Sequence, residues 1–270
     1  MCIRDRATVA TAGQENVAED KLGILEPLRA SLVLAQAGAS YMTGLVGNVS
    51  IPVYSGSNVG WAGEVTAASD GAGTFSEVNL EPKRLTAYID VSKQFLIQDS
   101  NSAEEMLKRD IVSAISNKLE ATILGTAAGS ATQPAGLLNG VTADTAAVTY
   151  TDFVNMEATL GEKNVRGDIK FIVSPSAKAV LKSTAKNQNS FIMEGNEVNG
   201  YPVLCTSAVA GKGIVYGNFA DLVIGQWGGI DLTVDPYTQA ANGKVRLVIN
   251  AYFDAKPRRA EAFVKKVLKA

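Results

Sequence analysis

Side chains that commonly carry out acid–base, nucleophilic and metal chemistry are scarce in this chain. Its 270 residues include no histidine and two cysteines, Cys2 and Cys205. A Ser-His-Asp triad, a Cys-His pair and a zinc site with histidine ligands therefore cannot be built. Two cysteines so far apart form no disulfide framework, which is typical of a reducing compartment, and we interpret Cys205 as a small buried hydrophobic residue.

One short pattern could support nucleophilic catalysis. The residues Ser183-Thr184-Ala185-Lys186 match the Ser-x-x-Lys pattern of acyl-serine hydrolases, in which lysine helps to activate serine. No Lys-Thr-Gly element follows, and the match lies at the end of an expected helix. Because two fixed positions in four often occur by chance, we interpret the match as accidental. A serine hydrolase that uses Ser183 and Lys186 is the alternative from another functional class.

Three other patterns also have ordinary explanations. Gly56, Gly60 and Gly63 belong to no phosphate-binding Gly-Lys-Ser/Thr or Gly-x-Gly-x-x-Gly pattern that opens a helix, so we interpret them as turn residues. The Arg-Gly-Asp triplet at 166–168 and the Asn-Val-Ser sequon at 48–50 are accidental in a chain that is not secreted. The sequence therefore predicts no catalytic residue, no metal site and no cofactor.

The composition is that of an ordinary globular protein with room for about two domains. Hydrophobic residues make up 46% of the chain and charged residues 19%. No signal peptide is recognisable, and the most apolar candidate span, residues 22–39, contains Glu26, Pro27 and Arg29. We therefore expect a soluble protein, made in the cytoplasm, with no membrane partner. Residues 1–6 resemble sequencing-adapter read-through and are left out of the reasoning about the fold.

Charge is unevenly distributed along the chain. Residues 242–270 contain eight lysines or arginines against Asp254 and Glu261, a net charge of +6, which leaves −8 for the remainder of a chain whose total is −2. The basic residues alternate with apolar ones in strand-like order. A solvated or subunit-facing strand edge therefore explains them better than a nucleic-acid footprint.

The first half of the chain predicts one helix, two strands and a long hairpin. A helix is expected from Pro27 to Gly38 and a strand over residues 49–54. Residues 60–81 contain few large apolar side chains, which predicts an extended hairpin with a flexible tip and no core of its own. Strict alternation of apolar and polar residues after Pro82 predicts a long half-buried strand.

The longest predicted helix begins at Ser102, which forms a capping box with Glu105, and ends at Gly125. A loop follows over residues 129–140. Helices and strands then alternate, which indicates an α+β fold. The further predicted helices are 152–162 and 174–186, and the predicted strands are 169–173, 203–204, 214–216, 222–224, 230–234, 245–253 and 262–268.

Several short segments follow one another in a fixed order along the chain. They are ILEPLR (24–29), GWAGE (60–64), FSEVNLEPK (75–83), VSKQFL (91–96), DS (99–100), QPAGLLN (133–139), IVSP (172–175) and GYPV (200–203). In this order they resemble the major capsid proteins of tailed phages, of the Hong Kong 97 type. The resemblance covers nearly everything from Leu22 to Lys269, and its specificity lies in the ordered series.

The resemblance implies a structural protein and not an enzyme. Such a protein assembles through pentamers and hexamers into an icosahedral shell around double-stranded phage DNA, in the cytoplasm of the host bacterium. It also implies a two-domain α+β wedge with a long spine helix. The implied parts are an N-terminal arm and helix over residues 1–54, an E-loop over 55–82, a peripheral domain from 83–129 and 229–257, and an axial domain from 130–228 and 258–270.

The predicted hairpin coincides with the E-loop of this family. A segment of some 25 residues with almost no hydrophobic face is explained if it lies across a neighbouring subunit and buries Trp61 and Phe75 there, with Glu64 beside them. The other implied partners are a separate scaffolding protein, a portal and decoration proteins. Arg258 and Arg259 are candidates for contacts with a neighbouring subunit or with enclosed DNA.

The sequence departs from the family pattern in two respects. It has no room for an N-terminal scaffolding extension, so either that extension was lost with the true N-terminus or scaffolding is a separate protein. It also has no lysine between Gly56 and Glu81, whereas some members cross-link an E-loop lysine to an asparagine of a neighbour. An encapsulin-like nanocompartment shell shares the implied fold and is the nearest alternative function.

Overall fold

The computed structural model describes residues 33–67, 69–94 and 102–269, with the side chains of the long helix described from Arg109 onward. Its α-helices are α1 (Val33–Ala37), α2 (Ser102–Ile123), α3 (Tyr150–Glu162) and α4 (Pro175–Ser183). Its strands are β1 (Ser40–Met42), β2 (Val49–Tyr54), β3 (Phe75–Leu80), β4 (Lys83–Ser92), β5 (Ile169–Val173), β6 (Ala185–Asn187), β7 (Ser190–Phe191), β8 (Glu197–Val198), β9 (Tyr201–Cys205), β10 (Gly213–Asn218), β11 (Leu222–Asp235), β12 (Lys244–Pro257) and β13 (Phe263–Val267).

The mixture of helices and strands confirms the predicted α+β class. Strands β2 and β5 have the predicted bounds, and α2 begins at the predicted Ser102. Ser174 is the N-cap of α4, where its hydroxyl accepts a hydrogen bond from the Ala177 N–H at 3.1 Å and Pro175 occupies the first turn. The predicted capping box of Ser102 and most of the helix predicted after Pro27 lie outside the residues whose side chains are described.

Three predicted elements differ from the structure. Helix α4 ends at Ser183 and not near Lys186, because residues 185–187 pair with Ser190 and Phe191 as a short hairpin. The strands predicted at 222–224 and 230–234 are one strand, β11. Its partner β12 continues on both sides of an irregularity between Trp227 and Asp231, so the glycines of this segment bend the strand without ending it.

A four-stranded sheet has the order β1-β11-β12-β4, in which β1 is parallel to β11 and the other pairs are antiparallel. Strand β12, which carries much of the basic tail, lies between β11 and β4. The basic residues on β12 are therefore not on a strand edge, contrary to the sequence-based expectation, whereas Lys265 and Lys266 lie on β13, an edge strand of the five-stranded sheet, in agreement with it. Arg246 on β12 instead pairs with Asp90 on β4, with 2.7 Å between Nε and Oδ1.

A five-stranded sheet has the order β13-β10-β5-β9-β8 and contributes side chains to two cores. Successive side chains of a strand point to opposite faces of the sheet. Ile214 and Tyr216 therefore pack on the face covered by α3 and α4. Val215 and Ile172 lie on the opposite face. On that other side the sheet shares its core with the four-stranded sheet and α2. Between β10 and β11 the chain passes from the five-stranded sheet to the four-stranded sheet at Asp221 and Leu222. The predicted domain boundary at 228/229 lies within β11. The domain boundaries stay a prediction.

The long helix α2 packs into the shared core through residues spaced four apart. Ile111, Ile115, Leu119 and Ile123 are all buried on one face. Glu120 on the same helix is 5% exposed and accepts hydrogen bonds from the Val33 N–H at 3.0 Å and the Thr206 hydroxyl at 3.4 Å. Burial raises the pKa of Glu120 above its usual value, and these two hydrogen bonds offset part of that rise.

Candidate subunit interface

The predicted E-loop is a two-stranded hairpin that continues beyond its regular strands. β2 pairs antiparallel with β3 from Val49 opposite Leu80 to Tyr54 opposite Phe75. Beyond them the Ser55 N–H donates to the Thr74 carbonyl, and the Asn58 N–H donates to the Gly71 carbonyl, each at 3.0 Å. The two arms therefore stay together almost to the tip.

Large apolar side chains on this hairpin are open to solvent. Trp61 has a relative exposure of 106%, and Val59 and Val65 on either side of it are also exposed. Phe75 is 77% exposed, with its ring 4.7 Å from that of Tyr54. Two strands alone form no core, so these side chains are suited to burial against another molecule. Glu64, which the sequence analysis placed with them at a subunit interface, is also exposed, and that role stays a prediction.

The base of the hairpin, in contrast, is buried against the four-stranded sheet. Leu80 has no exposed surface and packs with Val223 and Trp227, while the Trp227 indole N–H donates to the Gly47 carbonyl at 2.6 Å. The sequence predicted that the hairpin has no core of its own and adds little to a domain core. Leu80 is the described hairpin residue that is fully buried, and it is buried against the four-stranded sheet.

A buried charge pair also fixes the base. Asp254 on β12 has no exposed surface, and its carboxylate lies 3.1 Å from the ammonium of Lys83. The same carboxylate accepts the Glu81 N–H at 3.1 Å, and Lys256 donates to the Asn79 carbonyl. Asp254 thus accepts a hydrogen bond from the end of the hairpin and forms an ion pair with the first residue of β4. Sequence reasoning missed this role, although an aspartate inside an apolar strand is a signal that could have found it.

The hairpin and the arginine pair have different surroundings. Residues 55–82 contain four acidic residues and no basic one. Arg258 and Arg259 lie where the chain passes from β12 toward β13, and the Arg258 N–H donates to the Asp221 carbonyl at 2.7 Å. Arg259 is exposed, whereas Arg258 is half-buried and its Nε has no hydrogen-bond partner in the part of the chain that the structure describes.

The residues of the Ser-x-x-Lys match do not form a catalytic pair. The Ser183 hydroxyl donates to the Val180 carbonyl at 3.0 Å, and the Lys186 ammonium lies over the Tyr150 ring, 4.3 Å from its centre. Lysine therefore interacts with an aromatic face and serine with its own helix. Each side chain has an ordinary structural partner.

The described residues also include a cysteine and acidic side chains that could support other chemistry. Cys205 is half-buried against the core under α3 and α4, so the expectation of full burial was wrong. The described residues hold no cluster of three or more His, Cys, Asp or Glu side chains that could bind a metal ion. Among residues 33–67, 69–94 and 102–269, no helix has the length and apolar character needed to cross a membrane.

Comparison with known proteins shows which family the chain resembles. The sequence profile of the Phage capsid family matches residues 20–268. The chain belongs to this family. A curated relative, the major capsid protein of Halomonas phage phiHAP-1, is 30% identical over 251 residues, an alignment that covers 88% of this chain and 41% of the relative. The chain thus spans less than half the length of that capsid protein.

Solved structures show that the fold is the Hong Kong 97 type of this phage capsid family. A capsid chain from a native GTA particle superposes with a TM-score of 0.71 at 18% identity, covering 97% of both chains. A chain from Gordonia phage Cozz superposes with a TM-score of 0.66 at 14% identity, covering 88% of this chain and 86% of that one. The predicted fold and the predicted family are confirmed.

Proposed function

We propose that this chain is the major capsid subunit of a tailed phage, and that copies of it associate through the exposed part of the E-loop hairpin. The observation that carries the proposal is the contrast within that hairpin. Its base is fixed by Leu80 and Asp254, whereas Trp61 at the other end is fully exposed among the residues that the structure describes. A fixed base and an exposed aromatic tip suit a strap that reaches a neighbouring copy.

Repetition makes such a contact sufficient for a shell. When each copy binds the next through two different surfaces, the contacts are heterologous and close into rings. Pentamers and hexamers formed in this way tile into an icosahedral shell, whose many modest contacts add to a large total. Such a shell is assembled in the cytoplasm of the host bacterium and becomes part of the virion.

The enclosed cargo is double-stranded DNA, which this chain contacts weakly and without regard to sequence. Arg258 and Arg259 are the candidate contacts, and their alternative role is to pair with carboxylates of a neighbouring subunit. A scaffolding protein, a portal and decoration proteins are the further proposed partners. Catalysis has no part in this function, and we expect no labelling of Ser183 by a fluorophosphonate probe.

Shortening the hairpin tests this function directly. Residues 59–70 are deleted and Asn58 is joined to Gly71 through a short Gly-Ser link, which keeps Leu80 and the strand ladder. Circular dichroism and a cooperative melt should be unchanged, whereas light scattering and negative-stain images should show loss of pentamers, hexamers and shells. Assembly of the shortened chain at parental concentrations would contradict the proposal. So would a parent chain that stays monomeric across salt and protein concentrations with its scaffolding protein supplied.

A further inference from the structure

A cavity of about 130 Å³ lies between α2, the start of β4 and the loop that contains Pro134. Its apolar wall includes three buried side chains, Leu119, Pro134 and Phe253, together with the half-buried Leu85. A cavity of roughly this volume accommodates one aromatic ring. It is not filled by the chain's own Trp61, which is fully exposed.

Two exposed basic side chains line this cavity. Arg84 and Lys118 both line it and are both exposed, and neither has an ion-pair or hydrogen-bond partner for its side-chain nitrogens among the described residues. Lys83 also lines it, but the carboxylate of Asp254 already holds its ammonium group. Positive charge beside an apolar wall matches an occupant with both an acidic and an apolar group. A phosphate would use the charge and leave the apolar wall uncovered.

The tip of the hairpin has that combination of groups. Two acidic residues of the hairpin already accept hydrogen bonds: Asp70 accepts one from the Ala72 N–H, and Glu77 accepts one from the Ser50 hydroxyl. Glu64 is exposed and has no such partner in the described part of the chain, and it follows the exposed Trp61 by three residues. The exposed aromatic ring and the exposed carboxylate are therefore three residues apart in sequence, on a segment without any basic residue.

We propose that this cavity receives the hairpin tip of a neighbouring copy, with Trp61 covering the apolar wall and Glu64 facing Arg84 and Lys118. The proposal rests on the proposed function and goes further, because it names the receiving surface. It follows that each copy contributes the tip to one neighbour and the cavity to another. Such a contact is heterologous, as ring closure requires.

Disulfide trapping tests the contact in the full chain. Cys2→Ser and Cys205→Ser provide the background, and Glu64→Cys is combined with Lys118→Cys. The matched control combines Glu64→Cys with Lys182→Cys, since Lys182 is exposed on α4, on the opposite face of the five-stranded sheet from α2. After oxidation with copper phenanthroline, the first pair should give a ladder of covalent oligomers on a non-reducing gel, and the control should give monomer.

Charge exchange provides an independent test. Lys118→Glu should raise the protein concentration at which assembly begins by about threefold or more, and adding Glu64→Lys should bring it back toward the parental value. Lys182→Glu is the control and should leave that concentration unchanged. Rescue by the second charge reversal supports a direct contact, because a general loss of stability would not be corrected by it.

The outcomes separate this inference from the proposed function. If parental shells form but the 64/118 pair does not cross-link and Glu64→Lys does not rescue, the receiving site is wrong and the shell function stands. If Lys118→Glu shells form at parental concentration with less DNA inside, the cavity is a phosphate site, which also overturns the inference. A parent chain that never assembles contradicts the proposed function itself.

Discussion

Trp61 and Trp227, the two tryptophans of the chain, lie in opposite environments. Trp227 is 7% exposed and hydrogen-bonds to the Gly47 carbonyl beneath the base of the hairpin, whereas Trp61 is fully exposed near its tip. Large aromatic side chains contribute most where they are fully buried. Trp227 therefore stabilises the folded chain, whereas Trp61 contributes, in the proposed assembly, where another copy covers it.

Alanine substitution should separate the two roles. Trp61→Ala should leave the free energy of unfolding of the monomer unchanged and weaken each subunit contact by about 2 kcal/mol or more. Trp227→Ala should lower the free energy of unfolding by about 3–5 kcal/mol. Denaturant titration of the monomer measures the second effect, and light scattering of assembling protein measures the first. Loss of monomer stability in Trp61→Ala would place that side chain in an intramolecular core.

Glu120 leads to a prediction about pH. Its raised pKa means that the folded chain holds the proton more tightly than the unfolded chain. The stabilising contribution is therefore complete below the ordinary glutamate pKa and is lost as the pH rises through the raised value. Glu120→Gln keeps groups that can bond to Val33 and Thr206 but cannot ionise. The variant should melt at a higher temperature than the parent at pH 7.5, with a smaller difference at pH 4.5; a difference that does not depend on pH would contradict this.

At the scale of elements, the junction between β3 and β4 decides how the hairpin is held. Pro82 separates the two strands, and the Asp254 carboxylate reaches across to both the Glu81 N–H and the Lys83 ammonium. The pair is almost completely removed from water. A buried pair contributes little net stability compared with apolar residues, but loss of one partner leaves an uncompensated charge.

This asymmetry makes the junction testable. Asp254→Ala should destabilise the monomer by about 3–5 kcal/mol, because Lys83 would remain buried without its partner. The double variant Asp254→Ala with Lys83→Met should recover most of that loss, and urea titration measures both. Equal destabilisation in the single and the double variant would show that Asp254 acts through the Glu81 N–H and not through the charge pair.

At the scale of the whole molecule, the two sheets share one core and the hairpin lies outside it. The folded chain can therefore change its contacts with neighbours without unfolding, which suits a subunit that meets several neighbours in a shell. For the proposed shell we expect stability from non-covalent contacts between copies, chiefly apolar contacts and strand pairing. A lysine nucleophile for an E-loop cross-link is missing between Gly56 and Glu81.

Parental shells should accordingly contain no covalent links between subunits. Boiled and reduced shells should run as a single band near 28.3 kDa on a denaturing gel. Shells formed from a Val65→Lys variant provide a comparison in which a lysine has been placed at the hairpin tip. A ladder of oligomers from parental shells would show that another lysine supplies the nucleophile.

Local patterns in the sequence predicted many of the elements. These patterns depend only on residues that are neighbours in sequence, so they can be recognised without tertiary contacts. They are the alternation of β2, the four-residue spacing of α2 and the serine and proline that open α4. The break predicted near Gly228 was wrong for the same reason. A glycine pair indicates a turn when considered alone, but the paired strand β12 supplies hydrogen bonds on both sides and keeps β11 continuous.

The sequence alone determined the scarcity of catalytic side chains, the acidic character of residues 55–82 and the ordered segments that identify the family. It did not determine that Leu80 is buried while Phe75, five residues earlier in the same strand, is exposed. Nor did it place Arg84 and Lys118 at one cavity or Asp254 beneath the hairpin. These features depend on which distant element covers a residue. Burial, and with it the strength of each charge and each apolar contact, is decided only when the tertiary structure brings those elements together.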